Sequence, residues 1–264
     1  MQIILRLAVV IAIGGATANA QSLDDARRLF YSGRYDTAAA QALNIRTANP
    51  SNLTASELRS SALLFQIKRA VGDVADKDKA WQLCATCPAL MAEFLAELAH
   101  GQAVARAAVK ADPADDAALF FLGKLNLNYV WLQLGTLGKR TGLSEYWEAR
   151  KSLDTVLKRN PGHTRARVAR AWIDYIVDTK LPRGTKWLVG GGDKKRGLIA
   201  LHDAAHAEGD FFDQVEAQFA LWDMQIRERN FTEALATARV LARDFPDNRE
   251  LSRFIARQHQ AGTR

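Results

Sequence analysis

Two short segments carry side chains whose types and spacing could do chemistry. The first is Cys84-Ala85-Thr86-Cys87, which holds the only two cysteines of the chain. No histidine follows Cys87, so the haem-attachment pattern is absent, and no second cysteine pair is available to complete a four-thiolate zinc site. Disulfide exchange of the thioredoxin kind needs a βαβ setting that this sequence lacks. In an oxidising compartment two thiols at this spacing are expected to close a local disulfide that fixes a helix end ahead of Pro88. The second segment is His202-Asp203-Ala204-Ala205-His206, with two imidazoles four residues apart on one helical face. Metalloproteases place a glutamate general base directly after the first such histidine. Here Asp203 stands there, one methylene shorter, and no third ligand can be named. A nucleophile elbow of the G-x-S-x-G type is also missing. The expectation is no catalytic residue, no metal and no cofactor.

A third segment, Gly190-Gly191-Gly192-Asp193-Lys194-Lys195-Arg196, has the glycines and cations of a phosphate loop. It lacks the G-x-x-x-x-G-K-[ST] spacing and no strand precedes it. Its glycines are read as letting a loop fold back sharply before a helix. The cations belong to a wider imbalance: from Lys139 to Arg196 there are fifteen Lys or Arg against six Asp or Glu. Outside the cytoplasm such a block favours acidic proteins, lipid headgroups or acidic solutes over nucleic acid, or it is simply a solvated helix face.

The elements that must position these residues are helical. Hydrophobic residues make up 48% and charged residues 25% of 264, which suits a globular rather than a disordered chain. Three stretches share one pattern: residues 33–50, 144–161 and 229–246. Tyr35, Tyr146 and Phe231 fall in one slot, Ala38, Ala149 and Ala234 three later, and Ala42, Leu153 and Ala238 four beyond that. Ile45, Val156 and Leu241 follow, and Pro50, Pro161 and Pro246 close each run. Steps of three and four keep these side chains on one face of a helix, and the proline stops it. Partner helices precede two of these runs, with Leu119, Leu122 and Gly123 facing inward in one, and Ala217, Leu221 and Trp222 in the other. A small residue such as Gly123 lets the second helix approach closely.

This pattern resembles the tetratricopeptide repeat (TPR), a helix–turn–helix unit with small residues at fixed offsets and a closing proline. The resemblance covers residues 21–50, 116–161 and 215–246 well, and 51–113 and 194–210 weakly. It implies an all-α, TPR-like solenoid of stacked antiparallel helix pairs, because one pair cannot bury its apolar face alone. Residues 247–262 read as the capping helix, with Leu251, Phe254 and Ile255 turned inward. In TPR proteins the first helix of each pair lines the concave groove. The resemblance therefore nominates Phe120, Lys124, Arg165, Trp172, Tyr175 and Asp223 as groove residues for an extended peptide or an acidic tail.

Against the repeat, two turns are about fourteen residues too long, before Ala149 and before Gly197. Both insertions fall at the same corner of consecutive repeats, and stacking would set them side by side. Together they carry a basic edge of Lys139, Arg140, Arg183, Lys186, Trp187, Lys194, Lys195 and Arg196. The second loop is also similar to one in periplasmic TPR proteins associated with TRAP-type solute transporters.

Residues 1–20 have the layout of a secretory signal: Arg6, an apolar run to about Ile13, then Ala18-Asn19-Ala20 as the cut site. Residues 21–264 would then form the repeat domain, exported to a bacterial periplasm with no transmembrane span. The expected function is a non-enzymatic module of the cell envelope that binds another envelope protein or peptide segment and no nucleic acid. The alternative is an accessory of a TRAP-type transporter that binds a small ligand or the permease.

Overall fold

The computed structural model describes residues 14–139, 141–180, 184, 186 and 189–262. Among these residues there are twelve α-helices and no strand. Five pairs follow one another. They are α1 (Gly14–Tyr31) with α2 (Tyr35–Ala48), and α3 (Leu53–Val71) with α5 (Cys87–Ala111). Next come α6 (Asp116–Val130) with α7 (Leu143–Arg159), and α8 (Thr164–Lys180) with α9 (Lys194–His206). The last is α10 (Phe211–Arg227) with α11 (Phe231–Asp244). A short helix α4 (Lys77–Leu83) lies between α3 and α5, and α12 (Arg249–Gly262) packs on α11. Apart from α4, each helix packs on its predecessor and its successor, an order consistent with a solenoid of stacked pairs. The expected cut after Ala20 falls inside α1; residues 1–13 lie outside the described part.

The prolines build the same junction four times. Asn49, Asp112, Asn160 and Phe245, each just before a proline, cap α2, α5, α7 and α11 with φ from −129° to −138°. That extended geometry is the one a following proline imposes, so the helix must stop there. Three residues on, the N–H of Asn52, Asp115, His163 and Asn248 donates back to the capping carbonyl at 3.0–3.1 Å, closing a turn. The same residue then caps the next helix. Asn52 Oδ1 accepts from Ala55 N at 3.0 Å, Asp115 Oδ1 from Ala118 N at 2.8 Å and Asn248 Oδ1 from Glu250 N at 2.9 Å. His163 does so with its ring Nδ1, and burial holds its pKa below the usual value, as a neutral acceptor requires. Between α9 and α10 there is no proline, and Asp210 alone starts the next helix by accepting from Phe212 N and Asp213 N.

Burial follows the repeated slots. Ala38, Ala149, Ala234, Ala42, Leu153, Ala238, Ile45, Val156 and Leu241 are all buried. Gly123 meets α7 as expected: a Cβ there would stand 3.0 Å from Leu153 Cγ and 3.4 Å from the Ala149 carbonyl. Gly197 is tighter still, with its Cβ position 2.8 Å from the Ala171 carbonyl oxygen. Leu251 is buried, and Phe254 and Ile255 pack against the same cluster. The aromatic slot departs from the pattern. Tyr35 and Tyr146 are buried, but Phe231 is 43% exposed. Tyr35 is covered by Phe65 of the following pair, at 5.1 Å between rings, and the Tyr146 hydroxyl donates to Val189 O of the next connector.

The connectors inside the pairs also differ from the expected loops. The first insertion continues α6 as a π-helical turn over Trp131–Thr136 before the chain bends back. Leu132 and Leu137 are buried there in one apolar cluster with Phe94, against which Trp81 and Cys84 also pack. A third insertion, missed in the sequence, holds α4: Cys84 caps it, Cys87 opens α5, and the two sulfurs form the expected disulfide. In the second insertion Arg150 of α7 clasps the backbone, donating to Val189 O at 2.9 Å, Gly190 O at 2.7 Å and Gly191 O at 3.0 Å. Gly190 and Gly191 sit at φ +77° and +68°, which explains the glycines without a phosphate. No helix among the described residues is long and apolar enough to cross a membrane.

Candidate partner-binding surfaces

The first helices of the pairs bring their charged groove positions to one place. Glu216 on α10 accepts from Lys124 Nζ of α6 and from Arg165 Nε of α8, both at 2.6 Å. Arg165 Nη2 lies 2.8 Å from Glu57 Oε2 of α3, and Lys124 Nζ lies 3.8 Å from Glu57 Oε1. The Arg165 guanidinium also sits over the Phe120 ring at 4.9 Å. Burial pushes the Glu216 carboxyl up, but Arg165 and Lys124 overcome it and hold the pKa down at about 2. Phe120, Lys124 and Arg165 thus lie together, and the polar atoms of Lys124 and Arg165 are taken by the protein's own carboxylates.

The two ends of the stack meet beside this cluster. Tyr31 at the end of α1 stacks on Phe219 at 5.2 Å and tilts against Phe245 at 5.7 Å. Asn248 Nδ2 donates to Tyr31 O at 2.7 Å, and Arg69 of α3 lies 3.3 Å from Glu250 of α12. Burial first, then the nearby Glu216 carboxylate, raises the Tyr31 phenol well above its ordinary pKa. The sequence held no sign of this closure, because it joins residues 181 to 217 positions apart.

Trp172, Tyr175 and Asp223 form a second group. Trp172 packs edge-on against Tyr175 at 5.8 Å and Trp131 at 6.3 Å, with the Arg227 guanidinium over its ring at 5.4 Å. Arg227 in turn pairs with Asp223 at 3.1 Å. The Tyr175 hydroxyl donates to Glu228 Oε1 at 2.8 Å; burial, then Glu228, raises its pKa. Asp223 alone of the six groove candidates keeps substantial exposure, at 39% of its side chain.

The described members of the expected basic edge differ in their surroundings. Arg140, Arg183 and Trp187 lie outside the described residues. Lys139 is exposed, and Lys186 is paired with Asp178. The three consecutive cations divide, because successive positions on a helix point about 100° apart. Lys194 Nζ reaches Glu228 Oε2 at 2.6 Å, Arg196 grips Asp174 at 2.9 and 3.1 Å, and Lys195 stays exposed. The first N–H groups of α9 are also taken: Lys194 N donates to Asp178 Oδ2 at 3.0 Å and Arg196 N to Asp193 Oδ1 at 2.9 Å. Two carboxylates therefore occupy the position a phosphate would need.

The outward faces of α7 and α9 carry residues that were not singled out from the sequence. Trp147, Lys151 and Lys158 lie on α7, and Ile199 lies beside Lys195 on α9. Trp147 is 41% and Ile199 53% exposed. One signal was readable: Trp147 follows Tyr146 directly and so falls off the apolar stripe, where a polar residue is the rule. The side-chain ammonium groups of Lys151, Lys158 and Lys195 make no hydrogen bond or ion pair among the described residues.

His202 and His206 stack at 4.3 Å on an exposed face, and His206 Nδ1 hydrogen-bonds the His202 carbonyl at 2.7 Å. No group of three or more metal-ligating side chains occurs among the described residues. A scan against protein-family models finds no match for the chain, and a search of curated proteins finds none either.

Proposed function

We propose that the chain is an exported, TPR-like α-solenoid acting as a non-enzymatic interaction module of the bacterial cell envelope. It engages its partner through the basic outer edge at α7 and α9 rather than through the concave side. One contrast carries this reading. Lys124 and Arg165 on the first helices of their pairs are held by Glu57 and Glu216, whereas the ammonium groups of Lys151, Lys158 and Lys195 stand unpaired beside exposed Trp147 and Ile199. Exposed aromatic and aliphatic side chains among free cations are what a binding surface presents. The four equivalent proline junctions and the close approaches at Gly123 and Gly197 support the TPR-like part of the reading.

The test is site-specific photocrosslinking in intact cells, with the photoreactive residue placed in turn at Trp147, Lys195 and Asp223. Adducts to one partner from Trp147 and Lys195 but not from Asp223 are expected. Adducts confined to Asp223, or absent from all three positions, would overturn the proposal.

A further inference from the structure

Two open hollows lie along the outer edge. One hollow of about 340 Å³ is lined by Trp147, Arg150, Lys151, Asp154, Thr155 and Lys158 of α7. A second, of about 350 Å³, is lined by α9 and by Arg167 of α8, and it includes Lys195, Arg196, Ile199 and Asp203. Ion pairs join the two across the floor. Arg170 of α8 lies 2.7 Å from Asp154 and 2.6 Å from Asp174, and Asp174 accepts from Arg196 at 2.9 Å.

These pairs decide the sign of the surface. Across both hollows six cations face three carboxylates, and Asp154, the carboxylate of the α7 hollow, is already neutralised by Arg170. What remains unpaired is Lys151, Lys158 and Lys195. Lys151 and Lys158 are seven residues apart on one face of α7, about 10 Å along the axis. A neighbouring helix with carboxylates seven residues apart matches that interval, and its apolar side can cover Trp147 and Ile199.

Resting on the reading above, we infer that the edge formed by α7 and α9 takes an acidic amphipathic helix of the partner protein. The fixed seven-residue interval of Lys151 and Lys158 along α7 favours a helical protein segment over a lipid surface, whose headgroups have no fixed spacing.

The experiment uses the mature protein and a synthetic peptide of about three heptads with leucines at a and d and glutamates at the flanking positions. Binding is read from tryptophan fluorescence and calorimetry. Controls are the same peptide with glutamine for glutamate, and vesicles of phosphatidylglycerol. The glutamate peptide is expected to bind, to weaken steeply with salt, and to lose roughly tenfold or more in affinity in the Lys151→Glu/Lys195→Glu variant. Trp147→Ala should weaken both peptides alike, with thermal melts showing that each variant folds. Equal binding of the two peptides, insensitivity to charge reversal, or binding to the vesicles with none to the peptide would overturn the inference. Crosslinks in cells to a neutral or basic segment at Trp147 would overturn it while leaving the interaction module intact; loss of those crosslinks would remove the module itself.

Discussion

Glu216→Gln tests whether α3, α6, α8 and α10 are locked together by charge. The substitution keeps the shape of the side chain and removes the carboxylate that accepts from both Lys124 and Arg165 at 2.6 Å. Those cations have side chains only 15% and 11% exposed, and Glu57, with Asp213 at 3.9 Å from Arg165, remains to balance them. Breaking a buried pair by removing one partner costs about 3–5 kcal/mol. The shift of the carboxyl from 4.5 to about 2 is on the order of 3 kcal/mol, in agreement. For a domain of this size that corresponds to a fall in Tm of roughly 10 °C. The pH dependence supplies a signature that generic destabilisation lacks. The folded pKa lies below the unfolded one, so the contribution is complete at neutral pH and is lost as pH falls from about 4.5 towards 2. Thermal melts followed by circular dichroism from pH 2 to 8 should show that acid limb in the native protein and a shallower one in the variant. Adding Lys124→Met should recover part of the loss, since one fewer buried cation is left unpaired. A loss below about 1 kcal/mol with an unchanged acid limb would refute the lock.

Three further outcomes follow from the packing. Gly197→Ala forces a methyl to 2.8 Å from the Ala171 carbonyl and should cost about 1–3 kcal/mol, whereas Gly135→Ala, with open space around it, should be near neutral; urea titrations decide. Replacing Cys84 and Cys87 together by serine removes a very short cross-link, so the expected loss is only about 2 kcal/mol, with faster amide exchange in α4 while α3 and α5 stay protected. Tyr31→Ala removes the ring that stacks on Phe219 and should cost about 3 kcal/mol, with exchange rising at α12 and at the end of α1 together. Rising exchange in only one of those helices would show that the two ends are not coupled.

How much was legible differs between elements. The ends of α2, α7 and α11 were readable because a proline acts on the residue beside it, and that effect needs no tertiary contact. The seven-residue helix α4 was not, since it is too short to display a period and is held by Asp76 and the disulfide. At the candidate site, Lys194, Lys195 and Arg196 were visible as a run, but the residues that hold Lys194 and Arg196 lie just past the end of α10 and on α8. Trp147 was visible as a tryptophan outside the apolar stripe, whereas its neighbourhood with Gly190 depends on the α8–α9 connector folding back onto α7.

The amino-acid sequence by itself determined that this chain is helical, where three of its proline stops fall, which faces are buried, and that Cys84 and Cys87 can reach one another. All of these follow from forces acting over a few residues: periodicity, the missing N–H of proline, and short-range geometry. Only the tertiary structure decided that Glu57, Lys124, Arg165 and Glu216 would neutralise one another, that Tyr31 would meet Phe219 and Asn248, and that Lys151 and Lys195 would be left free. Whether a cation is spent inside the protein or available to a partner depends on which carboxylate lies within a few ångströms of it, and that distance is set by stacking helices far apart in the chain.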